Sequence, residues 1–114
     1  MGREGLDLLR GTLDLMILTT LSSGELMHGF AMLDWIRETT ENAIDVEEGA
    51  LYPALHRLER RGLLKGTWGI SNKGRRAKYY LITRSGRRRL EEGRTQWREY
   101  AAAVGQLADA RGIE

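Results

Sequence analysis

The stretch from Glu48 to Gly62 constrains this chain most. Leu51, Leu55 and Leu58 fall at helical spacing and give one apolar stripe along an otherwise polar helix. A start near Ala50 places Pro53 in the first turn, where backbone N–H groups have no partner within the helix. Gly62 is suited to ending the helix in a left-handed conformation. Two segments rich in aromatic and β-forming residues follow at once, Leu63 to Trp68 and Ala77 to Ile82. Between them, Gly69 to Arg76 supplies the Gly, Asn and Ser residues that a chain reversal needs.

The flanks extend this unit. Leu6, Leu9, Leu13, Ile17 and Leu21 predict a first helix, and Ser22 to Glu25 a turn. A second helix is expected from about Met27 to Thr40, with Phe30, Leu33 and Ile36 on one side. The alternating Ile44-Asp45-Val46 reads as a minor strand. Thr83 is placed to cap a last helix running to about Ala110. The fold class expected is mainly α with a small β-hairpin: a winged helix-turn-helix over residues 1–83, then a long terminal helix over residues 84–114.

Charge is divided unevenly along the chain. Residues 1–55 carry three Lys/Arg against ten Asp/Glu, and residues 56–114 carry fifteen against six. The second half is either a solvated basic surface or the footprint of a polyanion binder. The 114 residues contain no cysteine, which excludes disulfides, thiolate metal sites and a cysteine nucleophile. With two histidines and no phosphate loop or metal-ligand spacing, an enzyme is not expected, nor a metal or other cofactor. The N-terminus lacks a signal-peptide pattern, and the apolar run Leu13 to Leu21 is too short and too interrupted to cross a bilayer. Together these suit a cytoplasmic protein with no membrane partner.

On the third helix the stripe leaves Tyr52, Pro53, His56, Arg57 and Arg60 on other faces. Arginine can donate two hydrogen bonds to guanine, and Tyr or Pro can touch thymine methyls, so this face suits the major groove of double-stranded DNA. Lys73, Arg75, Arg76 and Lys78 cluster at the hairpin turn, where they can reach phosphates or the minor groove. His28 and Gly29 open the second helix, either as a phosphate site or with His28 as a simple cap. A basic hairpin beside a polar helix face also suits a protein-interaction module that does not bind DNA.

The last helix carries Leu90, Trp97 and Val104 at heptad spacing, with Gly93, Tyr100 and Leu107 at the matching offset. At ~1.5 Å per residue its roughly 27 residues extend ~40 Å, longer than a small domain needs, so pairing into a homodimer is expected. Two recognition helices related by a two-fold axis match palindromic half-sites about 34–36 Å apart. Trp97 and Tyr100 either pack in the dimer core or line a slot for a small planar ligand.

Several blocks resemble the PadR family of bacterial transcriptional regulators. They are Gly11 to Leu18, His28-Gly29-Phe30, Gly49 to Glu59, Gly62-Leu63-Leu64 and Arg76 to Thr83, with Leu51-Tyr52-Pro53-Ala54-Leu55-His56-Arg57-Leu58-Glu59 the most specific. The resemblance covers about residues 8 to 92, and the single terminal helix is similar to that of the short subfamily. It implies repression relieved by a small aromatic or hydrophobic effector. It also implies dimerisation through the first and last helices, which places Leu9 and Leu13 at the interface with Leu90, Trp97, Tyr100, Val104 and Leu107. Some short members hold flat compounds between interface aromatics, which makes Trp97 and Tyr100 candidate ligand contacts. Many members have Tyr where this chain has Phe30; if that hydroxyl reaches a phosphate in them, this contact is absent here.

Overall fold

A computed structural model describes the backbone over residues 2–111 and side chains over residues 11–111. Helix α1 (Gly2–Thr20) runs into a 3-10 turn, Leu21–Ser23, closed by Gly24 at φ 89°. Strand β1 (Met27–His28) leads directly into α2 (Gly29–Thr39). Helix α3 (Glu48–Arg60), strands β2 (Leu64–Ile70) and β3 (Arg76–Ile82), and α4 (Arg84–Ala110) complete the chain. The sheet is antiparallel in the order β1-β3-β2. In β2 and β3, Leu64 faces Ile82, Gly66 faces Tyr80, Trp68 faces Lys78 and Ile70 faces Arg76.

Local signals set most boundaries. At the end of α3, Gly62 takes φ 76°. Its N–H donates to the Glu59 carbonyl at 2.9 Å, and that of Leu63 to Leu58 at 3.0 Å. These paired bonds satisfy carbonyls that the last turn would otherwise strand. Thr83 caps α4, its hydroxyl accepting from the Gly86 N–H at 3.0 Å and donating to the Gly62 carbonyl at 2.7 Å. The start of α4 is thereby tied to the end of α3.

Three expectations are corrected. Residues 44–46 form no strand. The Thr40 hydroxyl accepts from the Ile44 N–H at 3.1 Å and donates to the Ile36 carbonyl at 2.8 Å, which holds this stretch to the end of α2. The extra strand is β1, with Met27 opposite Tyr80 and His28 opposite Tyr79. Helix α2 therefore starts at Gly29, two residues later than expected. Helix α3 starts earlier, with the Ala50 and Leu51 N–H groups both bonded to the Glu47 carbonyl at 3.0 Å. Pro53 is then the sixth helical residue, and its missing N–H deprives the Gly49 carbonyl of its usual donor four residues on.

The core explains why α3 tolerates this. Leu51, Leu55 and Leu58 are fully buried against Leu13, Ile17, Leu18 and Leu21 of the first segment, Met32 and Leu33 of α2, and Leu63, Leu64 and Tyr80. Each such leucine contributes roughly 1.5–3 kcal/mol, which outweighs one absent hydrogen bond of about 1 kcal/mol. Leu90 joins this cluster at 3 % exposure. It packs within its own chain, so the seam expected for a partner begins only beyond it. Leu13, also expected at the interface, is a core residue at 8 % exposure.

Candidate nucleic-acid interface

The buried stripe of α3 leaves Pro53, His56 and Arg60 exposed. Tyr52 is half-buried and lies against the start of α2. A Cβ at Gly29 would sit 2.6 Å from its hydroxyl and 2.8 Å from Cζ, so only glycine leaves room for the ring. Burial, and then the nearby Glu48 carboxylate, raise the Tyr52 phenol above its ordinary value of 10.0. His28 caps α2, its Nδ1 accepting from the Ala31 N–H at 3.2 Å. Its ring meets Tyr79 edge-on at 5.4 Å. His28, Gly29 and Tyr52 thus join α2 to α3 and the sheet, while the outward face of α3 is carried by Pro53, His56 and Arg60.

Two cations expected from sequence to contact DNA, Arg57 on the face of α3 and Lys78 beside the hairpin turn, turn inward. Arg57 Nη2 donates to Asp14 Oδ1 of α1 at 2.5 Å, with the side chains 26 % and 15 % exposed. Its Nε is buried and has no partner among the described residues. Lys78 donates from Nζ to Glu59 Oε1 of α3 at 2.8 Å. That bond raises the Lys78 ammonium above its ordinary value of 10.5. Gly66 makes the pairing feasible, because a Cβ there would lie 2.5 Å from Lys78 Cε and 2.9 Å from Glu59 Oε2. The charges of both cations are thus taken up by acids on neighbouring elements.

The hairpin tip retains Lys73, Arg75 and Arg76, all exposed. Its turn is closed by Ser71 N–H to the Arg75 carbonyl at 2.7 Å, with Gly74 at φ 75°. Two further exposed residues were missed from sequence, Trp68 at 56 % and Ile70 at 70 %. The signal that could have found them is strand alternation: Leu64, Gly66, Trp68 and Ile70 share the sheet face that packs on α3. The first two are covered by the helix and the last two extend past it.

A second surface lies along α4. Trp97, Tyr100, Val104 and Leu107 are all exposed, and the rings of Trp97 and Tyr100 lie 6.3 Å apart. Gly11, Thr12 and Leu15 of α1 face Gln96, Trp97 and Tyr100 across an open groove of about 310 Å³. Leu9 belongs to the backbone of α1, and its side chain lies outside the described residues. Among the described residues no cluster of His, Cys, Asp or Glu could hold a metal ion, and no helix is long and apolar enough to cross a membrane.

Four helices and a three-stranded antiparallel sheet, with a hairpin beside an exposed helix face, define a winged-helix protein of the transcriptional-regulator class. Residues 17–92 match the model of the transcriptional regulator PadR-like family, and the chain belongs to that family. It is similar to the structure of a transcriptional regulator from Clostridium thermocellum, at TM-score 0.78 and 30 % identity over 88 % of this chain and 96 % of the other. A PadR family transcriptional regulator from Eggerthella lenta superposes at TM-score 0.74 and 34 % identity, over 93 % of this chain and 89 % of the other. The transcriptional regulator Rv3488 of Mycobacterium tuberculosis is 38 % identical over 71 residues, 61 % of this chain and 65 % of that protein.

Proposed function

We propose that this regulator binds double-stranded DNA as a homodimer and represses transcription until a planar, hydrophobic small molecule releases it. One observation carries the DNA reading. Arg57 and Lys78 are neutralised by acids inside the fold, whereas Arg60 on α3 and Lys73, Arg75 and Arg76 on the hairpin are exposed and have no acidic partner among the described residues. Unpaired surface cations beside a polar helix suit phosphates flanking a major groove. In this reading Pro53, His56 and Arg60 face base edges, while Lys73, Arg75 and Arg76 hold the backbone.

The dimer reading rests on the apolar row Trp97, Tyr100, Val104 and Leu107, each between 44 % and 73 % exposed. Residues 84–114 then pair two copies and residues 1–83 contact DNA, with Leu90 anchoring one part to the other. The groove beside Trp97 and Tyr100 supplies flat apolar walls for the effector.

The test is titration of the protein against a duplex selected from a random pool and against unrelated duplex, over a range of salt. Arg60→Ala should lose about 1–3 kcal/mol on the selected duplex and relax its specificity; Lys73→Ala should weaken both duplexes alike and lower the salt slope by about one. Equal behaviour of the two variants would remove the division of roles, and absence of binding at low salt would sink the DNA reading.

A further inference from the structure

We infer that Trp68 is a positioning residue for DNA-backbone contact: it holds the Arg76 guanidinium over its ring as a preformed phosphate clamp on the hairpin. This rests on the DNA-binding reading above. The Arg76 guanidinium carbon lies 4.5 Å from the centroid of the Trp68 ring, and Lys78 Nζ lies 5.8 Å from the same ring. The indole is thus flanked by two cations on the sheet face that packs on α3.

The two cations differ in what remains free. The Lys78 charge is committed to Glu59 of α3. Arg76 has no acidic partner among the described residues and lies over the indole. A guanidinium carbon held over a ring leaves N–H groups pointing away from that ring, and a guanidinium fork can meet two phosphate oxygens at once. An arginine already held on a ring loses less side-chain freedom on binding than one that ranges over the surface.

The same row of contacts fixes where the clamp sits. From the core outward it runs through Tyr80, buried at 2 %, then Lys78, whose Nζ is 5.7 Å from the Tyr80 ring, then Trp68 and Arg76. Glu59 pins this row to α3 midway along it. The clamp is therefore held in fixed register with His56 and Arg60. An indole more than half exposed adds little to the core, so its large flat face is explained by the cation it carries.

The experiment uses the full chain and a labelled duplex longer than two helical turns, with anisotropy read across a salt series for wild type, Trp68→Ala, Trp68→Phe, Arg76→Ala and the Trp68→Ala/Arg76→Ala double variant. Urea midpoints for each variant separate lost binding from lost fold. Arg76→Ala should weaken binding by about three- to tenfold and lower the salt slope by about one. Trp68→Ala should reproduce both changes, Trp68→Phe should recover most of the affinity, and the double variant should be no weaker than either single one. Additive losses, or a Trp68→Ala salt slope equal to that of wild type, would overturn the assignment, the first because the indole would then touch DNA itself. Wild-type protein that fails to bind the duplex at any salt would overturn this inference together with the DNA reading.

Discussion

Arg57 of α3 and Asp14 of α1 form an ion pair that joins the helix carrying His56 and Arg60 to the helix lining the groove beside Trp97. Both side chains are largely withdrawn from solvent, and removing either one leaves a poorly solvated charge behind. Arg57→Ala should therefore destabilise the protein by about 2 kcal/mol, below the fully buried case because some solvent still reaches the pair. Asp14→Ala should do likewise, and the double variant should lose less than the two losses combined. Urea unfolding at fixed protein concentration measures this. A wild-type midpoint for Arg57→Ala, with reduced discrimination between DNA sequences, would return Arg57 to the outward face.

Gly29 separates α2 from the Tyr52 ring. Gly29→Ala drives a methyl group into that ring and should destabilise the fold by roughly 1–3 kcal/mol. Truncating the ring makes space again, so the penalty of Gly29→Ala should shrink in a Tyr52→Ala background. Thermal melts of the four proteins in this cycle give the answer, and an unchanged penalty would place the clash elsewhere.

Alkali should unfold this protein through three groups. Burial, followed by Glu48, raises Tyr52; burial leads at Tyr80, opposed by Lys78 and aided by Glu59 and Tyr52; the hydrogen bond to Glu59 leads at Lys78. Each holds its proton more tightly folded than unfolded. Their contribution to stability is complete below the ordinary values of 10.0 and 10.5, and it is lost as pH rises through the higher folded values. Denaturant midpoints should hold level up to about pH 9 and then decline. Phenolate absorbance should contain a component ionising above pH 10 that shrinks in Tyr52→Phe and Tyr80→Phe. Stability that increased with alkali would contradict the direction of all three.

The two ends of α4 should respond differently to substitution. Val104→Glu places a charge in the exposed apolar row and should weaken self-association by roughly a hundredfold, equivalent to about 2.7 kcal/mol, with the helical content of the body retained. Leu90→Ala should instead cost about 2–5 kcal/mol of stability by leaving a core cavity. Sedimentation equilibrium combined with melts over a concentration series separates them. A Val104→Glu protein that associates like wild type would move the interface away from this row.

Local chemistry was readable before any fold was known. The leucines at 51, 55 and 58, the Gly62 stop and the Thr83 cap each act within one or two turns of chain, and the structure keeps all of them. Long-range pairing was not readable. β1 exists because Met27 and His28 meet Tyr80 and Tyr79, whereas the alternation at 44–46 has no strand to join. The same holds for charge. Arg57 and Lys78 look like outward cations until Asp14, 43 positions away, and Glu59, 19 positions away, are folded beside them. The exposure of Trp68 likewise depends on how far β2 extends past α3, which alternation within the strand does not specify.

Pro53 bears on how α3 exists at all. A thirteen-residue segment lacking one internal hydrogen bond is too short to stay coiled alone in water. An excised peptide of residues 48–60 would be largely random, however well its side chains suit a groove. The shape proposed to meet the duplex is on loan from the leucine-lined body behind it, and heating that loosens the body should erase recognition at the same temperature.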